Sequence, residues 1–122
     1  MARILIIDDE CLVRSLLRQT LERAGHDVVE AKDGREGLRS FRITPADLII
    51  TDILMPEKEG LETIIELRRD IPGVKIIAIS GGRGGKLNFL DIAKQLGAQR
   101  VIQKPFEVHE MLKAVTELLE EV

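Results

Sequence analysis

The chain has 122 residues, the size of one ordinary domain, with 44% hydrophobic residues, 2% aromatic residues and a formal net charge of −3. That content supports an aliphatic core without a disulfide or metal staple, and the lack of Trp and Tyr excludes aromatic platforms for single-stranded nucleic acid. The slight negative charge argues against direct nucleic-acid or anionic-membrane binding, the single cysteine, Cys11, can form no internal disulfide, and no run is long enough for a signal-peptide core or a membrane span, so a cytoplasmic location is expected.

Apolar runs alternate with amphipathic stretches from start to end. The first run, Arg3–Asp8, is read as a strand and closes on two carboxylates. A helix follows, with Val13, Leu16, Leu17, Thr20, Leu21 and Ala24 on one face and Gly25 as its stop. Asp27–Glu30 is the second strand, and a short helix is expected around Gly34–Arg42. Leu48–Thr51 is a third strand, with Asp52 at its end. The next helix carries Leu61, Ile64, Ile65 and Leu67 and stops before Pro72–Gly73. Val74–Ser80 is the fourth strand, followed by a helix with Leu87, Leu90, Ala93 and Leu96 that ends at Gly97. Arg100–Gln103 is the fifth strand, and the last helix carries Val108, Met111, Leu112, Val115, Leu118 and Leu119. The first, third and fourth strands are nearly continuous Ile, Leu and Val, as in strands buried on both faces. Five successive βα units predict a doubly wound α/β domain with a parallel sheet and helices on both sides.

In such a sheet the carboxyl ends of all strands lie along one edge, where ligands bind. Asp8 and Asp9, Asp52, Ser80 and Lys104 follow four different strands, so the fold would bring them to one small volume. One aspartate after a strand is often only a helix N-cap, and Glu10 or Lys104 alone is usually solvated surface. Three carboxylates, a hydroxyl and a lysine at four strand ends on one edge are a different matter. Clustered carboxylates repel, and a divalent cation relieves this. Hard oxygen donors without His or Cys favour Mg2+, with Mn2+ or calcium as alternatives, over zinc. A carboxylate beside such a cation and a lysine suits nucleophilic attack on a phosphoryl group, giving an acyl phosphate.

The runs "IIDDE", "LIITDILMP", "IIAIS" and "QKPF" closely resemble, in residues and spacing and over essentially the whole chain, the response-regulator receiver domain, the CheY-like phosphoacceptor module of two-component signal transduction. The resemblance implies a single flavodoxin-like (βα)5 domain over residues 1–122, with a five-stranded parallel sheet in the order 2-1-3-4-5, and because the sequence ends with its last helix no output domain is expected in this chain. It implies that Asp52 accepts a phosphoryl group from a phosphohistidine on a sensor histidine kinase or a histidine phosphotransfer protein. It also implies that Asp9, Asp52 and the Leu54 carbonyl hold Mg2+ with Asp8 helping through water, that Ser80 and Lys104 contact the phosphoryl group, and that the Lys104–Pro105 peptide is cis. A downstream protein target, and a monomer or weak homodimer using the face of the fourth helix, fifth strand and fifth helix, complete the expectation.

Other readings are weaker. "SGGRGGKL" lacks two key positions of a nucleotide-binding phosphate loop, with Ser80 where a glycine belongs and Leu87 where Ser or Thr belongs. An aspartate-nucleophile phosphohydrolase needs a general acid two residues after its nucleophile, and Leu54 stands there. An unphosphorylated receiver-like interaction module leaves the full acid set unexplained. Two departures bear on switching: Val101 occupies a position often aromatic in the family, and Gly81–Lys86 is unusually glycine-rich, so that loop is expected to carry the conformational change. His26 and His109 are expected at the surface, and Cys11 near the start of the first helix.

Overall fold

The computed structural model describes residues 2–53, 59–80 and 89–121, with 59–61 and 89–92 described as backbone only. The elements run β1 (Arg3–Ile7), α1 (Cys11–Arg23), β2 (Asp27–Ala31), α2 (Gly34–Ile43), β3 (Leu48–Asp52), α3 (Glu59–Asp70), β4 (Lys75–Ser80), α4 (Phe89–Leu96), β5 (Arg100–Gln103) and α5 (Val108–Glu120). The five strands form one sheet in the order β2-β1-β3-β4-β5, and all four pairings are parallel.

Strand alternation splits the aliphatic residues into two cores. Ile4 and Ile6 of β1, Ile50 of β3 and Ile77 and Ile79 of β4 face one side, where Leu17 and Leu21 of α1 and Met111, Val115 and Leu118 of α5 cover them. Leu5, Ile7, Ile49, Ile76 and Ala78 face the other, under Phe41, Ile64, Leu67 and Ala93 of α2, α3 and α4. Nearly all these side chains are withdrawn from water, and their transfer drives folding.

Local chemistry sets several boundaries. Asp33 Oδ1 accepts from Glu36 N at 2.8 Å while Glu36 Oε1 accepts from Lys32 N at 3.0 Å, a reciprocal cap that starts the short helix α2 firmly. At Gly37 a Cβ would lie 2.7 Å from Ile7 Cγ1, so glycine lets α2 approach β1 closely. Gly25 and Gly97 take φ of 94° and 128° where α1 and α4 end, a region favouring glycine.

Some expected faces are narrower than the apolar pattern. Leu16 is 44% exposed and Ala24 is exposed, because α1 meets the sheet through Leu17 and Leu21. Ile65 is likewise exposed, and Thr63 is buried beside Ile64 instead. His26 is half-buried rather than superficial, with Nδ1 accepting from Ala2 N at 3.2 Å. His109 is exposed, as is Cys11, the first residue of α1. Leu87, Leu90 and the Gly81–Lys86 loop lie outside the residues whose side chains or backbone are described.

Candidate functional site

The strand order reverses between β1 and β3, where β1 runs out to β2 on one side and β3 to β4 and β5 on the other. The carboxyl ends of β1 and β3 therefore flank the crevice where ligands bind in such sheets. Asp8 directly follows β1, and its N–H still donates to Ala31 O at 3.1 Å, extending the strand pairing by one bond. Asp52 is the last residue of β3, and Ile53 N donates to Ile79 O at 2.9 Å just beyond it. Ser80 ends β4 and is buried. Past β5, Lys104 N donates to Ser80 O at 2.6 Å, and the Lys104–Pro105 peptide is cis.

The acids are not there to cap a helix. The N-cap of α1 is Glu10, whose side chain makes no capping bond. Asp8 instead turns back, with Oδ1 accepting from Glu10 N at 2.8 Å. Asp8 is 0% exposed and Asp52 3% exposed, both rare for carboxylates. Asp9 and Glu10 are exposed above them.

Lys104 joins the group. Its Nζ lies 2.9 Å from Asp8 Oδ2, 3.0 Å from Asp52 Oδ2 and 2.9 Å from Glu10 Oε1, with only 13% of the side chain exposed. Burial alone would lower the lysine pKa, but the Glu10, Asp8 and Asp52 carboxylates around it raise it well above its ordinary value, so it stays charged. The same ammonium lowers Glu10. Asp8 moves the other way. Loss of water pushes its carboxyl up to about 6, assisted by the Asp52 charge and opposed by the Glu10 N–H and by Lys104. Its Oδ2 meets Lys104 at ion-pair distance but accepts no aligned hydrogen bond, so one buried carboxylate oxygen is compensated by charge alone.

Asp8, Asp9, Glu10 and Asp52 each bring one carboxylate oxygen to within 4.8 Å of the others. An all-oxygen donor set with a buried, under-satisfied anionic oxygen fits a small hard divalent cation. The sequence-predicted residues Asp8, Asp9, Asp52 and Lys104 are thus brought together, and Ser80 ends the strand adjoining that of Asp52. Leu54 lies outside the described residues. Glu10 is the residue that sequence reasoning set aside as solvated surface. The run "IIDDE" contained it, but only its partner Lys104, far along the chain, distinguishes it from an ordinary surface acid.

Among known proteins, the family described as the response regulator receiver domain matches residues 4–116. The chain is 32% identical to the chemotaxis protein CheY of Thermotoga maritima, covering 95% of this chain and 96% of that protein. It is 34% identical to the alkaline phosphatase synthesis transcriptional regulatory protein PhoP of Bacillus subtilis, covering 93% of this chain but 48% of that protein. A CheY-like receiver domain structure from Methanospirillum hungatei superposes with a TM-score of 0.90 at 30% identity, covering 98% of this chain and 94% of that one. The chain belongs to the response regulator receiver domain family. Receiver domains are phosphoacceptor signalling modules of two-component systems rather than turnover enzymes, taking phosphoryl groups from histidine kinases and acting on downstream targets. Among the described residues no helix is long and apolar enough to cross a membrane.

Proposed function

We propose that residues 1–122 act as one receiver unit in which Asp52 accepts a phosphoryl group from a phosphohistidine on a sensor kinase or phosphotransfer protein. The convergence of Asp8, Asp52 and Lys104 at the ends of three elements carries this reading. An Asp52 carboxylate oxygen attacks phosphorus, the P–N bond breaks, and the imidazole leaves on the donor protein, taking up a proton. Lys104 Nζ, held 3.0 Å from Asp52 Oδ2, is placed to meet negative charge gathering on the transferring group. The Ser80 hydroxyl, at the end of the neighbouring strand, donates to a phosphoryl oxygen once the group is attached.

Asp8, Asp9 and Asp52 would hold Mg2+, or Mn2+ in its place, with Glu10 beside them and the Leu54 carbonyl as a further ligand. When bound, the cation neutralises charge on the phosphoryl oxygens. Asp52 then keeps the group as an acyl phosphate. Leu54, two residues on, offers no proton for hydrolysis, which suits a switch whose phosphorylated form changes partner binding.

With magnesium and acetyl phosphate, intact-mass analysis should find one phosphoryl group gained by the wild type and none by Asp52→Asn. Equal labelling of the two proteins would remove Asp52 from this role.

A further inference from the structure

The turn from β1 to α1 carries Asp8, Asp9 and Glu10, yet few backbone bonds define it. Asp8 N donates to Ala31 O and Arg14 N donates to Glu10 O, each at 3.1 Å, leaving the Asp8 carbonyl between them. That carbonyl accepts from Arg14 Nη1 at 2.7 Å. Arg14 Nε donates in turn to Glu30 Oε1 on β2 at 3.1 Å. The other Glu30 oxygen accepts from Arg18 Nη1 at 2.6 Å. Both side chains are mostly shielded, with Arg14 18% and Glu30 27% exposed.

A guanidinium is a rigid planar fork, so Glu30 on one prong fixes where the other prong points. Arg14 is thus anchored on the edge strand and grips the peptide joining Asp8 to Asp9. That peptide sets the direction of both carboxylates toward Asp52. Glu30 also balances the Arg14 charge, so the arginine orients the acid turn without competing as a counter-ion for its carboxylates. Arg18 shares the same carboxylate, but its remaining bonds go to Glu22 and the Val28 carbonyl, away from the turn.

We infer that Arg14, braced by Glu30, is a positioning residue that orients Asp8 and Asp9 for the divalent cation of the proposed phosphoacceptor site. The inference rests on that site reading. Outer groups that orient metal ligands typically change affinity by about 10–100-fold when removed.

The test titrates magnesium alone into isotope-labelled protein and follows amide NMR shifts, a readout independent of phosphorylation. Arg14→Met should raise the magnesium Kd about tenfold. Arg18→Met, which disturbs the same Glu30 but touches no part of the acid turn, should leave it within about twofold of wild type. At saturating magnesium, Arg14→Met should regain the wild-type rate of labelling by acetyl phosphate, because the defect lies in affinity. If Arg14→Met does not fold, Glu30→Gln, which keeps the shape and removes the charge that holds the fork, should raise Kd about threefold. Unchanged Kd in Arg14→Met or Glu30→Gln, or equal rises in Arg14→Met and Arg18→Met, overturns the positioning role. A wild type that binds no magnesium overturns the site reading itself, and the inference with it.

Discussion

The two edges of the sheet use space in opposite ways. At the amino-terminal edge, α2 and α3 leave an open cleft of about 640 Å³ walled by Leu38, Phe41, Leu67, Ile71 and Val74. Its charged groups stay at the rim, where Arg42 reaches Asp70 at 3.8 Å and Glu66 at 4.0 Å in water. At the carboxyl-terminal edge, three carboxylates crowd one ammonium, and two of them are buried. Empty volume with apolar walls reflects how helices splay. Charge withdrawn from water costs far more, and such clusters are where pKa values move and reactions occur. The costlier edge is the one proposed to accept the phosphoryl group.

The sharpest way to break this contrast is to remove the cation at the costly edge. Lys104→Met leaves Asp8, Glu10 and Asp52 without their shared ammonium. With saturating magnesium, acetyl phosphate labelling of Asp52 should slow by about 100- to 1,000-fold, the usual effect of losing one preorganised charge-stabilising donor. Mass-spectrometric time courses measure it. A rate within a few-fold of wild type would mean that Lys104 only balances charge in the resting protein.

The complementary change is made at the cleft. Phe41 is 6% exposed and forms much of its wall. Phe41→Ala should cost about 3–5 kcal/mol in urea unfolding through lost burial and an enlarged void. Labelling per folded molecule should stay at the wild-type rate. A large labelling defect in folded Phe41→Ala would show that the two edges are coupled through α2 and β1.

Much of this contrast was legible in the sequence. Strands of Ile, Leu and Val placed five elements in one parallel sheet, and strand direction alone put Asp8, Asp52, Ser80 and Lys104 on a common edge. The helix faces were less legible. Periodicity selects every apolar residue near one face, whereas α1 touches the sheet along a narrower line through Leu17 and Leu21, leaving Leu16 outside. Glu10 was illegible for another reason. Its meaning depends on Lys104, 94 residues away, and such pairings follow from tertiary geometry. The Arg14–Glu30 brace spans a helix and a strand in the same way. The cleft gave no sequence signal, since its walls are ordinary apolar residues of α2, of α3 and of the turn that follows α3.

The smallest of the expected effects isolates the cost of burying charge at the carboxyl-terminal edge. The Asp8 carboxyl is raised from 3.8 to about 6 chiefly by burial. The folded protein therefore holds this proton more tightly than the unfolded chain. Between about pH 4 and 6 the folded state binds more protons, so stability from this group falls as pH rises and is fully lost above the folded pKa. The span sets an upper limit of about 3 kcal/mol. Asp8→Asn keeps the size and polarity of the side chain but cannot ionise. In metal-free buffer, the stability of wild type relative to Asp8→Asn should drop by about 2–3 kcal/mol from pH 4 to 6.5. Excess magnesium should flatten that difference, because a bound cation favours the ionised form and binds only the folded site. Urea unfolding of both proteins across this range, with and without magnesium, measures it. Parallel curves without metal would mean that Lys104 alone compensates the Asp8 charge, and that this edge is no costlier than the cleft opposite.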